Sequence, residues 1–323
     1  SKHYQLGLRG KVARSTLADA NEKRDWRIYA DLAQKLIQRL RRDFVVDPGS
    51  EIELENAIYA LDSTTIDLCL NVFWWAKFRK YKAAIKMHTL LDIKCEIPCF
   101  VHITEAAVHD INALDVFEFE PDAFYVMDRG YIDWKRLYRI NQANAFFVIR
   151  AKQNLSFKRI ASRPVDKSTG LRCDQLIRFS GHTARKNYPG QLRRIKFYDS
   201  EHQQTYVYLT NHFEAPALQI AILYRNRWKV EIFFKWIKQH LKVKVFWGEG
   251  PNAVKTQIWV AVCTFVLVAM VKRTFKIKHS MNDILQILSV SVFDKTPVNQ
   301  LFMSNNENAR NDEAHNQLNL FDL

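Results

Sequence analysis

Cysteine is scarce in this chain, with five among 323 residues (Cys69, Cys95, Cys99, Cys173, Cys263). An odd, small set with no secretory context excludes a disulfide-stapled scaffold and suggests reduced thiols. Glycine (9) and proline (8) are also sparse, which excludes a collagen-like chain. Residues Ser1–Arg14 alternate basic and small residues and carry no signal-peptide pattern. The longest largely apolar run, Ile258–Val271, is shorter than the about 20 residues a membrane span needs, so it reads as a buried helix. No internal repeat stands out. Acidic residues fall short of basic ones, 34 against 48, for a formal net charge of +14.

What is present is a large stock of core-forming residues. Apolar types make up 48% and aromatics 13%, enough to exclude a disordered tail and to build one large domain with an insertion, or two domains. The net charge points to an anionic partner, nucleic acid first and an acidic membrane second. The charge is uneven along the chain. Residues 1–50 carry +5, 51–128 carry −8, 129–200 carry +13 and 201–323 carry +4. A solvated basic face would account for the positive block. An acidic, metal-holding core beside a basic, phosphate-tracking arm would account for both blocks.

Residues 16–43 read as one helix, with Leu17, Tyr29, Leu32, Leu36 and Leu40 near helical spacing. Asp47-Pro48-Gly49-Ser50 breaks it. Apolar runs then predict strands over Ala57–Leu61, ending at Asp62, and over Ile85–Ile93 and Ile97–Ile103, joined as a hairpin. Asp110 suits the N-cap of a short helix through Phe117. Phe124–Met127 predicts a fourth strand ending at Asp128, Trp134–Asn141 an amphipathic helix, and Ala145–Ile149 a fifth strand. This order argues for an α/β layer fold with a mixed sheet. From about 152 to 210, short β-like pieces punctuated by Gly, Pro, Arg and Lys suggest a separate β-rich insertion. Pro216 suits the first position of one long helix over 217–241, and Pro251-Asn252 opens another over 252–274. The tail from Ser304 reads as disordered.

Three carboxylates stand out. Asp62 and Asp128 each close a buried strand, where a charge is costly unless paired or bound to a cation. Each alone has an ordinary explanation as a cap or a loop hydrogen bond. Glu231 lies mid-helix, and Tyr224, Arg227 and Lys238 fall with it inside an arc of about 60° on one face. Leu223, Val230, Phe234, Ile237 and Leu241 form the adjoining apolar stripe. A row of surface ion pairs would explain this pattern. A phosphate grip around a metal ligand explains it as well.

The spacing Tyr224-x2-Arg227-x3-Glu231-x6-Lys238 resembles the Y-R-E-K signature of the IS-four group of bacterial DDE transposases. Ala60-Leu61-Asp62-Ser63-Thr64 and Met127-Asp128-Arg129-Gly130-Tyr131 resemble that group's two Asp motifs. The resemblance runs from near residue 3 to about 303. It implies an RNase H-like mixed sheet flanked by helices, with a β-rich insertion between the second Asp and the catalytic Glu. It divides the chain into an N-terminal helical remnant (1–50), the first part of the core (51–151), a basic β-rich insertion (152–212), the helical remainder of the core (213–303) and a disordered tail (304–323). It implies Asp62, Asp128 and Glu231 as catalytic metal ligands for two Mg²⁺ ions, with Mn²⁺ as a substitute. Tyr224, Arg227 and Lys238 would grip DNA, and Arg129, Arg150 and Lys152 are further DNA-contact candidates.

The implied activity is cleavage at transposon ends and transfer of the 3′-OH into target DNA. The implied partners are double-stranded DNA, as terminal inverted repeats and target, and a second copy when ends are paired. No membrane is implied; the expected location is the cytoplasm and nucleoid of a bacterium. A silent or domesticated DNA-binding relic and an RNase H-like nuclease without strand transfer are the rival readings. Relatives carry a further N-terminal domain, and this chain opens within what resembles the connecting segment, Tyr4–Trp26, so truncation is expected. Tyr206, Tyr208 and Phe213 are candidates for stacking a flipped base. Trp74-Trp75, followed by Lys77, Arg79, Lys80 and Lys82, suits either base stacking or a buried aromatic beside a basic loop. Cys95-x3-Cys99 near His88 and His102 could suggest zinc, but strand placement and the lack of a second ligand pair argue against it.

Overall fold

The computed structural model describes residues 12–43, 50–79, 82–240, 246–291, 296–298 and 300–302; the tail expected at 304–323 lies outside them. Among the described residues, ten strands form one sheet. They are β1 (Ile58–Leu68), β2 (Lys77–Arg79), β3 (Lys82–Asp92), β4 (Ile97–Glu105), β5 (Phe124–Met127), β6 (Phe146–Arg150), β7 (Phe157–Arg163), β8 (Leu171–Phe179), β9 (Leu192–Asp199) and β10 (Gln204–Thr210). Their order is β2-β3-β1-β5-β6-β10-β9-β8-β7, with β4 paired to β3. β1, β3 and β4 are antiparallel neighbours, whereas β1, β5 and β6 run parallel. This is the mixed, RNase H-like sheet that the resemblance implies. Residues 157–210 are β-rich but form no separate layer. Tyr208–Thr210 pair with Val148–Arg150, so β7–β10 extend the same sheet.

Helices cover both faces. The helices α1 (Arg14–Lys23), α2 (Arg27–Arg42), α3 (Trp134–Gln142), α4 (His182–Asn187), α5 (Ala217–Asn226), α6 (Lys229–His240), α7 (Pro251–Thr274) and α8 (Met281–Ser291) follow in chain order. Ile37, Ile220, Val230 and Ile258, from α2, α5, α6 and α7, pack on Ala60, Val126 and Val148. On the other face Leu114, Leu137 and Ile140 pack on Leu61, Met127 and Ile149. Strand side chains alternate between faces. Asp62 and Asp128, one residue beyond Leu61 and Met127, therefore share the face covered by α5–α7.

Three expected boundaries move. β1 does not end at Asp62 but runs on to Leu68, because β3 stays paired with it as far as Ala83. The helix expected over 16–43 divides into α1 and α2, with the Asp25 carboxylate accepting the Arg27 amide at the break. The helix expected over 217–241 divides into α5 and α6. There the bonds tighten to Arg227 N–H with Tyr224 C=O, Trp228 N–H with Arg225 C=O, and Glu231 N–H with Trp228 C=O.

α7 has the length and hydropathy of a membrane span, with a mean hydropathy of 1.9 over its most apolar window. Yet 61% of that window is buried against the rest of the chain, so it is a core helix here, as the sequence suggested. Its start is clasped by α1. Glu22 accepts the amides of Glu249 (2.8 Å) and Gly250 (2.6 Å), while the Asn252 side-chain amide reaches the carbonyls of Asn21 (2.7 Å) and Arg24 (2.6 Å). A side chain near each helix end thus satisfies free backbone groups at the other.

His88 on β3 is fully buried, and its Nε2 meets Thr104 Oγ1 at 3.0 Å. Burial pushes its imidazole down to about 4. The unfolded chain then binds one more proton than the folded one between about pH 6.5 and 4, so stability falls as pH drops through that window. We expect His88 to account for a loss of about 2 kcal/mol between pH 7 and pH 5. Urea titrations of wild type and His88→Gln check this: the variant should show a flatter pH dependence over that range, and equal slopes would refute it.

Candidate active site

The parallel ladder sets the first two carboxylates side by side. Leu61 pairs with Met127, Met127 with Ile149, and Ile149 with Leu209. The next residues along the strands are Asp62, Asp128 and Arg150, and Arg150 is paired with Tyr208. One row across one face therefore reads Asp62, Asp128, Arg150, Tyr208. Adjacent strands lie about 4.8 Å apart, so the two carboxylates are close neighbours.

The α5–α6 junction brings the third carboxylate over this row. Arg227 donates to Asp62 Oδ2 (2.6 Å) and to Glu231 Oε1 (2.7 Å). Its guanidinium stands between two members of the expected triad, with 15% of its side chain exposed. Burial pushes the Asp62 carboxyl up, and the charges of Asp128 and Glu231 push the same way; Arg227 and the Ser63 amide pull against them. Burial works against the Arg227 charge, and Asp62, Tyr224 and Glu231 more than restore it.

The donor set is three carboxylates, hard oxygen ligands of the type Mg²⁺ and Mn²⁺ prefer. Among the described residues, the group of three whose ligand atoms all lie within 4.8 Å of one another is Asp199, Glu201 and His202 at the β9–β10 turn, not the triad. Two of the triad, Asp62 and Glu231, are held apart on the Arg227 cation. The triad fits a divalent ion in charge and ligand type, on condition that Arg227 yields its place.

Asp128 is held by its own turn. Its carboxylate accepts the Gly130 amide, and a Cβ built on Gly130 would lie 2.8 Å from Asp128 Oδ1. Any larger residue at 130 would push that carboxylate aside. Asp62 is held from the far side of the sheet. The Ser63 amide donates to Asp62 Oδ1 (2.8 Å), while the Ser63 hydroxyl donates to Asp110 (2.7 Å). Lys86 pairs with the same Asp110 oxygen at 3.0 Å. Burial disfavours the Asp110 charge, and Ser63 and Lys86 more than offset it, holding the carboxyl below its ordinary range. The expected helix cap at Asp110 is therefore corrected. Residues Asp110–Asp115 form a short 3₁₀ turn, His109 occupies the cap position, and the Asp110 side chain serves Ser63 and Lys86 instead. Nothing local in the sequence signals this pairing across 47 positions.

The expected DNA contacts separate. The Tyr224 ring lies 4.7 Å from that of Tyr208 and 5.8 Å from the Arg227 guanidinium. Burial pushes the Tyr224 hydroxyl up, with Arg227 opposing and the Asp128 charge adding to it. Arg150 sits over the Tyr206 ring at 4.8 Å, and Tyr206 stacks with Tyr208. These groups form one aromatic and cationic flank beside Asp128. Arg129 is exposed in the turn after Asp128, and Lys238 is exposed two helical turns beyond Glu231 on α6. Lys152 instead lines a hollow with Trp134, Leu155 and Phe179, on the face away from the triad. Phe213 offers its backbone carbonyl to Arg163 rather than joining the tyrosines. Burial pushes the Cys99 thiol up to about 12, and Cys95 rises with it; among the described residues, neither belongs to the cluster of three possible metal ligands.

Two outcomes follow from these contacts. Asp110→Ala should lower stability by about 2 kcal/mol, because it leaves the half-buried Lys86 ammonium without its carboxylate. Adding Lys86→Met should restore part of the loss, and a strictly additive double mutant in urea denaturation would contradict the pairing. Arg227→Ala should tighten Mn²⁺ binding about tenfold, since a competing charge-assisted contact disappears. Calorimetric titration of both proteins measures this, and weaker binding by the variant would contradict the competition.

The Transposase DDE domain family matches residues 54–267 of this chain. A Sinorhizobium fredii chain named as the transposase y4zB is 32% identical over 265 residues, covering 81% of this chain and 72% of its own length. A Geobacillus stearothermophilus chain named as the transposase for insertion sequence element IS5377 is 31% identical over 220 residues, with 64% and 54% covered. A Synechocystis chain named as the transposase for element IS4SA is 23% identical over 305 residues, with 91% and 82% covered. The family match spans both Asp motifs and the α5–α6 junction, and the chain belongs to the DDE transposases of bacterial insertion sequences.

Proposed function

We propose that the chain cuts DNA at the ends of a mobile element and joins the freed 3′-OH to target DNA, with Asp62, Asp128 and Glu231 as ligands for divalent metal. The observation that carries this reading is the Asp62–Asp128 pair at the end of the β1–β5 ladder, with Arg227 bridging from Asp62 to Glu231. Held by these three carboxylates, two Mg²⁺ ions, or Mn²⁺ in their place, would supply activation of the attacking oxygen and relief of charge on the leaving one.

The protein's own groups supply position. Ser63, backed by Asp110, fixes the Asp62 carboxylate. The Gly130 amide fixes Asp128. Arg227 neutralises Asp62 and Glu231 in this structure, and it would be free to hold a DNA phosphate if a divalent ion occupied the carboxylates. Tyr224 and Arg150 line the flank through which the strand enters, and Arg129 and Lys238 add phosphate contacts at its rim. The exposed Lys152 lies apart from this path and is assigned to a more distant phosphate or to none. Two copies pair two ends, each keeping its own carboxylates.

The test uses DNA carrying the element's own ends, with and without a pre-formed 3′-OH nick, and a supercoiled plasmid as target. Asp62→Asn, Asp128→Asn and Glu231→Gln should each reduce cleavage and joining on the order of 100- to 1,000-fold or more, with DNA affinity within a few-fold of wild type. Retained activity in any of the three would remove that residue from the site. Cleavage without a joined product would leave a nuclease.

A further inference from the structure

One aromatic feature plays no part in the carboxylate site. Trp74 is 77% exposed, in the turn Trp74–Ala76 between β1 and β2, and Trp247, in the loop before α7, is 44% exposed. The residues beneath them are locked. Trp75 Nε1 donates to the Glu249 carbonyl at 2.7 Å, and Phe73 meets the Phe246 ring edge-on at 5.6 Å. The Trp247 amide donates to Gln257, and its carbonyl accepts from Asn21. The Glu249 and Gly250 amides are taken by Glu22. Gly248, at φ +108°, makes the turn, and a Cβ there would lie 2.5 Å from that of Ala253. Two loops and α1 thus form a rigid mount whose outer side carries two tryptophans. Lys77 and Arg79 stand exposed on β2 beside it, Arg79 over the Phe78 ring at 5.0 Å.

A rigid mount that keeps a large apolar ring in water serves something that covers the ring. The exposed cations beside it select a polyanion. Aromatic rings interleaved with cations suit bases and phosphates together. The mount is also within reach of DNA held at the carboxylates. From Asp62, β1 runs six residues to Leu68, roughly 20 Å, before the loop begins. That is about six nucleotide steps of a strand.

We propose that Trp74, with Lys77 and Arg79, is a second DNA-contact surface, outside the carboxylate site, that stacks on an accessible base and holds the adjoining phosphates. The proposal rests on the chain being a DNA-acting protein and not on the roles given to Asp62, Asp128 and Glu231. The probes are fluorescein-labelled DNA of about 20 nucleotides, as a single strand and as a duplex, titrated in fluorescence anisotropy at several salt concentrations. Trp74→Ala should weaken binding about tenfold and Trp74→Phe should recover most of it, both with an unchanged thermal midpoint. Lys77→Ala/Arg79→Ala should reduce the salt slope by roughly 0.7 for each phosphate that is no longer neutralised.

A larger effect on the single strand assigns unpaired bases as the ligand, and an equal effect assigns the duplex; either supports the surface. Wild-type affinity and salt slope in Trp74→Ala and Lys77→Ala/Arg79→Ala would overturn it. So would a dimer in wild type that becomes a monomer in Trp74→Ala, since the ring would then face a second copy. Glu231→Gln is run alongside: if it still cleaves DNA, the carboxylate reading fails while the Trp74 comparison keeps its meaning.

Discussion

Crowded negative charge is the constraint on which this site depends. Two unit charges 4 Å apart interact by about 4 kcal/mol at the effective dielectric typical of protein surfaces. The β1–β5 register places Asp62 and Asp128 one strand apart, and α6 adds Glu231. Positive charge placed inside such an arrangement stabilises it. Arg227 supplies that charge, so the cation that stabilises the site is also the group that a metal bound there would have to displace. The break between α5 and α6 belongs to the same solution. It lets one residue at the end of α5 reach down to β1 while its neighbour four positions on stays over the sheet.

The rest of the fold is arranged to hold that geometry. α6 is backed by α7, where Phe265 meets Phe233 at 4.9 Å and Trp236 at 5.0 Å, both edge-on. Glu231 is therefore carried by a helix whose opposite side is packed into the core. The sheet holds the aspartates from both sides: Leu61 and Met127 are fully buried immediately before them, and Ser63 and Asp110 tether Asp62 from below. The apolar helix α7, which by length and hydropathy alone could cross a membrane, is the backing that lets the carboxylates stay fixed.

Much of this was legible in the sequence, for physical reasons. Ala57–Leu61 and Phe124–Met127 are short, fully apolar strands, and an Asp placed directly after such a run has few inexpensive positions. Glu231 was legible because Tyr224, Arg227 and Lys238 share its side of the helical pattern. What stayed hidden depends on contacts far away in the chain. The apolar run stops at Leu61, yet β3 pairs with Ser63-Thr64-Thr65 and extends β1. Asn226–Lys229 contains neither Gly nor Pro, so no local residue marks the helix break. Asp110 reads locally as a cap because its partners, Ser63 and Lys86, are set by the sheet. Lys152 lies past the end of β6, where strand alternation no longer fixes a face.

The uneven charge of the sequence becomes an uneven sheet. The acidic segment supplies β1–β5, and the strongly basic one supplies β6–β9 on the Asp128 side. A DNA strand is repelled by three carboxylates unless cations lie along its path, and the sheet order sets those cations beside the triad, beginning with Arg150. The outer strands are charged beyond what folding needs. Lys158 on β7 and Arg178 on β8 are directly paired and both exposed, an arrangement that destabilises an isolated ladder. A bound polyanion reverses the sign of that interaction, because two adjacent cations then share a line of phosphates.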